Sequence, residues 1–194
     1  MSSKNSELRG MTAELITHAQ ILGGLVAIMW GLEILNQFFF RNTLESFGII
    51  PRNLIGLRGI IFAPFLHANF AHLMANTLPF LGLGWLVMIR RISDFFTVSL
   101  ITMLVSGLGV WLFAGANTLT VGASGVIFGY LGYLLTRGWF ERKLGSIIFS
   151  LIVFLVYGGL VWGVLPQVPG VSWQGHLFGL LGGVLSARLL SKAS

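Results

Sequence analysis

A chain of 194 residues that is 55 % hydrophobic and only 9 % charged, with a mean hydropathy of +0.87, is not a water-soluble domain, where about a quarter of residues are charged. Its formal net charge of +6 does not mark a nucleic-acid binder, because the basic residues sit singly or in pairs at the edges of apolar runs. The lack of cysteine excludes disulfides, thiolate metal sites and a cysteine nucleophile. The length suits one domain over residues 1–194, and no Pro/Ser-rich linker divides it.

In chain order, a polar segment over residues 1–18 comes first, with no cleavable signal expected behind it. Six stretches then approach the roughly 20 apolar residues that a bilayer-spanning helix needs. They are Ala19–Phe40, Leu73–Ile89, Phe95–Ala114, Val121–Leu135, Leu144–Leu165 and Trp173–Leu190. The expected fold class is therefore an all-α membrane protein, a bundle of six transmembrane helices. Between the first two spans, residues 41–66 are too apolar for a solvated linker and too interrupted to span. Arg41, Glu45, Arg52 and Arg58 punctuate them, which predicts short amphipathic pieces lying in the membrane interface. The Pro/Gly content of residues 165–172 predicts a plain loop.

Charge then orients the bundle. With six spans, Lys4, Arg9, Arg90, Arg91, Arg137, Arg142, Lys143, Arg188 and Lys192 share one side, against Arg41, Arg52 and Arg58 on the other. Positive-inside bias places both termini in the cytoplasm and the interfacial loop outside, with the cell membrane as the expected location.

Polar groups at membrane depth are costly and need a reason. Ser124 stands in Gly122-Ala123-Ser124-Gly125 near the outer start of the fourth span. Alone, such a tetrad reads first as a small-residue helix interface, and it becomes diagnostic only in company. His176 opens the sixth span and begins a row of glycines at 175, 179 and 183, with Gly182 beside it; the fourth span offers Gly125, Gly129 and Gly132. Two glycine faces let helix backbones approach closely, which allows the Ser124 hydroxyl and the His176 imidazole to meet as nucleophile and base. His72 and Asn76, four apart, share one helix face, and His67 is expected to precede that helix. Spacing alone leaves a structural hydrogen-bonding role open for this pair. A metal site using His67, His72 and His176 is the rival reading. It is disfavoured because i,i+5 spacing chelates poorly and no ligand carboxylate lies near. Nor does a carboxylate at that depth orient His176: Asp94 falls at the inner side, and Glu33 is expected to hydrogen-bond a neighbouring helix.

Together, Gly122-Ala123-Ser124-Gly125, His72-x-x-x-Asn76 with His67 ahead of it, and Gly175-His176 before a glycine-rich helix resemble the rhomboid intramembrane serine proteases over about Pro51 to Leu190. The resemblance implies a six-helix bundle that needs no cofactor and cleaves single-pass membrane proteins in or near their transmembrane segments. It implies Ser124 as nucleophile, His176 as general base, and an oxyanion hole from the Ser124 N–H with the His72 and Asn76 side chains. Gly122, Gly125 and His67 would support the site, and Phe128 stands where the family often has an aromatic against the histidine. Pro51-Arg52 and Leu57-Arg58-Gly59 depart from the Trp-Arg pair common in the family's interfacial loop. The expected partners are single-pass membrane substrates and the lipid bilayer, with no nucleic acid. The alternative within the family is a non-proteolytic protein that binds membrane clients.

Overall fold

A computed structural model of the protein describes residues 2–167 and 169–192, with side chains from Gly10 onward. Lys4, Arg9 and Val168, used above in the charge count and the loop, lie outside the residues whose side chains are described. Six helices of fourteen residues or more stand among the described residues. We label them α1 (Ser2–Phe38), α2 (Phe70–Met88), α3 (Ile92–Phe113), α4 (Ser124–Glu141), α5 (Leu144–Tyr157) and α6 (Trp173–Ser191).

Four stretches are long and apolar enough to cross a membrane: Gly10–Phe38, Phe70–Met88, Ile92–Phe113 and Leu144–Val164. The last continues α5 through a 3₁₀ segment, Gly158–Val164. The other two expected spans, α4 and α6, fall short in apolarity, and packing explains why. Every residue of α4 from Val126 to Leu134 is buried, so this helix meets protein on all sides and needs no lipid-facing surface. The N-terminal expectation also changes: α1 runs unbroken from Ser2, its apolar stretch starts at Gly10, and His18 is buried. Residues 2–18 are thus part of the first helix and not a separate segment.

The glycine faces meet as their spacing foretold. A Cβ at Gly179 or Gly183 would overlap the Gly125 or Gly129 carbonyl, and one at Gly132 would overlap that of Leu180. Gly182 instead faces Thr102 and Val105 of α3. Backbones of α4 and α6 therefore touch with no side chain between them, the contact that small residues permit in membrane bundles.

Residues 41–66 form 3₁₀ turns at Thr43–Phe47, Ile55–Arg58 and Ala63–Phe65, with one α-turn at Gly59–Phe62. Backbone bonds tie them to the segment before α4. Ile49 and Thr120 exchange both N–H···O bonds, at 2.9 and 3.0 Å, and the Gly122 N–H donates to Ala63 at 2.8 Å. Two arginines of this loop act as anchors: Arg52 donates to the Leu112 carbonyl, and Arg58 donates to that of Ser46 while lying 4.3 Å from the Phe47 ring centroid.

At the far end of α4, Glu141 accepts from Arg90, Arg137 and Ser146, while Asp94 pairs with Arg90 and accepts from Tyr133. Ser150 adds a bond to the Leu134 carbonyl and receives one from the Gly138 N–H. This buried network fastens the first half of α5 to α4.

Candidate active site

Two helix starts and one helix face build the site. Asn69 caps α2, its side chain accepting the His72 N–H at 2.8 Å, so the first turn of α2 is fixed where His72 projects. One turn later comes Asn76, which is buried, and its Nδ2 has no hydrogen-bond partner among the described residues. An unpaired buried donor costs free energy unless something fills the place it points to.

Gly122 shows where His72 and Asn76 point. Its φ of +119° is a region that side chains rarely adopt, and a Cβ there would lie 2.7 Å from His72 Cε1, 2.8 Å from its Nε2 and 3.4 Å from Asn76 Nδ2. Glycine at 122 thus serves both the turn and the approach of two donors. Two residues on, Ser124 is the first residue of α4, where backbone N–H groups lack intrahelical partners. Gly125 leaves room on the other side for the Ser106 hydroxyl, which donates to the Gly175 carbonyl at 2.8 Å and holds the first turn of α6 in place. That turn is capped by Ser172, which accepts from the Gly175 N–H.

His176, in that turn, is buried and held twice. Phe128 stacks flat on its ring at 4.1 Å between centroids, and Nδ1 lies 2.8 Å from the Gly163 carbonyl. Nε2 is then the nitrogen left to face the cavity. A cavity of about 690 Å³ is lined by Asn69, His72, Asn76, Thr120, Ser124 and His176, among others, and residues 169–172 border it. So Ser124, His176, His72 and Asn76 share one chamber. No hydrogen bond joins Ser124 to His176 in this state. Catalytic pairs often stand apart before substrate arrives.

His67 does not line the cavity. It is fully buried behind His72, their rings edge-to-face at 5.2 Å. Burial, with His72 adding to it, pulls the His67 pKa down to about 4, outweighing the Phe65 carbonyl that favours its charged form. Glu33 corrects an expectation: it is buried in α1, yet neither carboxylate oxygen has a hydrogen-bond partner among the described residues. Sequence reasoning also missed Gly163, Asn69, Ser106 and Ser172. Asn69 carried a readable signal, an Asn just before an apolar helical run. Gly163 carried none, since its contribution is a backbone carbonyl.

Residues 56–193 match the family model of the Rhomboid domain. The chain belongs to the rhomboid family. It is 45 % identical over 174 residues to an uncharacterized protein of Mycobacterium tuberculosis, covering 86 % of this chain and 72 % of that one. It is 35 % identical to a putative rhomboid protein of Acanthamoeba polyphaga mimivirus, over 61 % of this chain and 67 % of the other. It is also 31 % identical to the rhomboid protease GluP of Bacillus subtilis, over 82 % of this chain but 32 % of the longer GluP. Family and apolar helices together make this rhomboid an integral membrane protein.

Proposed function

We propose that this rhomboid is an intramembrane serine endopeptidase, hydrolysing peptide bonds in or near transmembrane segments of single-pass membrane proteins. The observation that carries the reading is the convergence of the Ser124 hydroxyl, the His176 ring and the orphaned Asn76 amide on one chamber. In this mechanism Ser124 attacks the scissile carbonyl and His176 Nε2 takes its proton, then gives it to the leaving amine; a water molecule, deprotonated by the same nitrogen, next cleaves the acyl ester and Ser124 regains its proton. The developing oxyanion would meet the Ser124 N–H, Asn76 Nδ2 and His72, which is supported by the His72 and Asn76 side chains lining the same cavity as Ser124. The substrate must unwind locally, because helical hydrogen bonds hide the carbonyl.

The same reading takes all six helices as spans, with α4 and α6 sheltered inside, residues 41–66 in the outer interface, and both termini cytoplasmic. One observation favours the non-proteolytic, client-binding alternative: the missing Ser124–His176 hydrogen bond. A fluorophosphonate or isocoumarin probe separates the two. Labelling that vanishes in Ser124→Ala and in His176→Ala, together with cleavage of a transmembrane substrate panel in liposomes, supports the protease. A purified, folded protein that neither labels nor cuts overturns it.

A further inference from the structure

We propose that the Gly163 backbone carbonyl is the positioning group of His176, the part a carboxylate plays in a three-membered triad. The inference rests on the protease reading above and deepens it.

A carbonyl oxygen can only accept a hydrogen bond. With His176 Nδ1 2.8 Å from the Gly163 oxygen, the ring proton sits on Nδ1, and Nε2 carries the lone pair a general base needs. No acidic residue lines the chamber, so this bond alone among the described contacts sets the tautomer. Phe128 fixes the plane of the ring but is indifferent to which nitrogen bears the proton.

Residue 163 must be glycine for the carbonyl to reach. A Cβ there would lie 2.6 Å from Phe128 Cζ and 3.4 Å from His176 Nδ1. Glycine, phenylalanine and histidine interlock, and a side chain at 163 would push the carbonyl off the ring.

The carbonyl is carried by a segment held very differently from the rest of its helix. The first half of α5 is fastened to α4 through Ser146 and Ser150, and Val153 is its last buried residue. Phe154, Leu155 and Val156 are exposed, as is Trp162, and the chain passes from α into 3₁₀ geometry over Gly158–Val164. Tyr157, Leu160 and Val161 rest on the core, and the base is armed only while the segment they hold is seated against α6. Any movement that lifts it frees Nδ1 and lets the ring proton redistribute.

The test weakens the acceptor without moving it. Replacing Val164 by its α-hydroxy acid makes the Gly163 carbonyl an ester, a poorer acceptor; the same replacement at Val161 is the control, costing one N–H of the same 3₁₀ segment but leaving Gly163 intact. The ¹⁵N spectrum of histidine-labelled protein, with His176 assigned by its loss in His176→Gln, reads the tautomer directly. In the unmodified protein, Nδ1 should carry the proton. The ester at 164 should add the Nε2–H form and lower kcat roughly three- to tenfold, the reach of one net hydrogen bond, with KM unchanged. The control should leave the tautomer and kcat as they were. Gly163→Ala should show the same spectral change with a larger loss.

A proton on Nε2 in the unmodified protein overturns the inference, as does a kcat loss at 164 without a tautomer change. The spectrum needs no turnover, so a protein that proves not to be a protease would fail the kinetic arm alone.

Discussion

The Phe128 ring lies on the His176 imidazole with the two planes 5° from parallel. Stacking fixes the tilt of the imidazole, and the Gly163 contact at Nδ1 fixes its rotation, so the ring has little freedom before substrate arrives. Phe128→Leu keeps an apolar side chain of somewhat smaller volume but loses the flat face. An aromatic pair contributes about 0.5–1.5 kcal/mol beyond burial, so kcat should fall roughly three- to tenfold while the fold persists. Phe128→Tyr should also slow turnover, because its hydroxyl would grow from Cζ toward Gly163. Unaltered kcat in both variants would show that the stack is ornamental.

Asn76 carries a donor with no acceptor among the described residues. Asn76→Ala should lower kcat by about 10²-fold, the usual effect of losing one oxyanion donor, with little change in KM. Thermal stability should hold or rise, since an unsatisfied buried group has been removed. A normal kcat with lowered stability would make Asn76 a structural residue.

Two glycines of this chain should respond in opposite ways to the same change. A Cβ at Gly183 would run into the Gly129 carbonyl across the α4–α6 contact, whereas Gly145 has open space around it. Gly183→Ala should destabilise by roughly 1–3 kcal/mol through overpacking. Gly145→Ala should stabilise by about 0.5–1 kcal/mol through helix propensity. Unfolding in mild detergent measures both, and equal shifts would refute the direct backbone contact.

Acid should loosen the site through His67. In the folded protein it stays neutral down to about pH 4, whereas the unfolded chain takes up its proton near the ordinary imidazole value of 6.5. The unfolded state thus binds the extra proton between those limits, so this contribution is complete above pH 6.5 and is lost as pH falls toward 4. It amounts to at most about 3 kcal/mol. Melting temperatures from pH 7 to pH 4.5 should therefore fall more steeply for the native chain than for His67→Gln; parallel curves would exclude His67 as the source.

Topology gives a prediction independent of chemistry. A tag between Asn42 and Thr43 should be accessible from outside, and a reporter fused after Ser194, which lies beyond the described residues, should read cytoplasmic. An external C-terminus would defeat the six-span reading and turn the chamber to the wrong face.

What the sequence made legible is what repeats or stands out against an apolar background. The glycine rows of α4 and α6 foretold a backbone contact, and four polar side chains in lipid-like surroundings foretold one chamber. The chain concealed whatever is delivered by backbone or by enclosure. Gly163 acts through a carbonyl that any residue possesses. Helix α4 reads as the weakest span because it is the most enclosed, so its low hydropathy reports burial in protein. Glu33 was expected to find a partner because isolated carboxylates are rare in membranes. Among the described residues it has no hydrogen-bond partner.

Arg90 and Glu141 meet in the folded bundle although fifty-one residues separate them along the chain. In the proposed topology almost all of two further spans must be synthesised before Glu141 is made. While the early hairpin is being inserted, Arg90 thus bears a positive charge that this carboxylate has not yet reached, and it can act as a signal holding that end in the cytoplasm. Once α4 is complete, the same guanidinium becomes part of a closed ionic knot. In that topology one side chain would serve first in the routing of the nascent polypeptide and afterwards in its architecture, and a substitution there would be felt at two separate moments in the life of the protein.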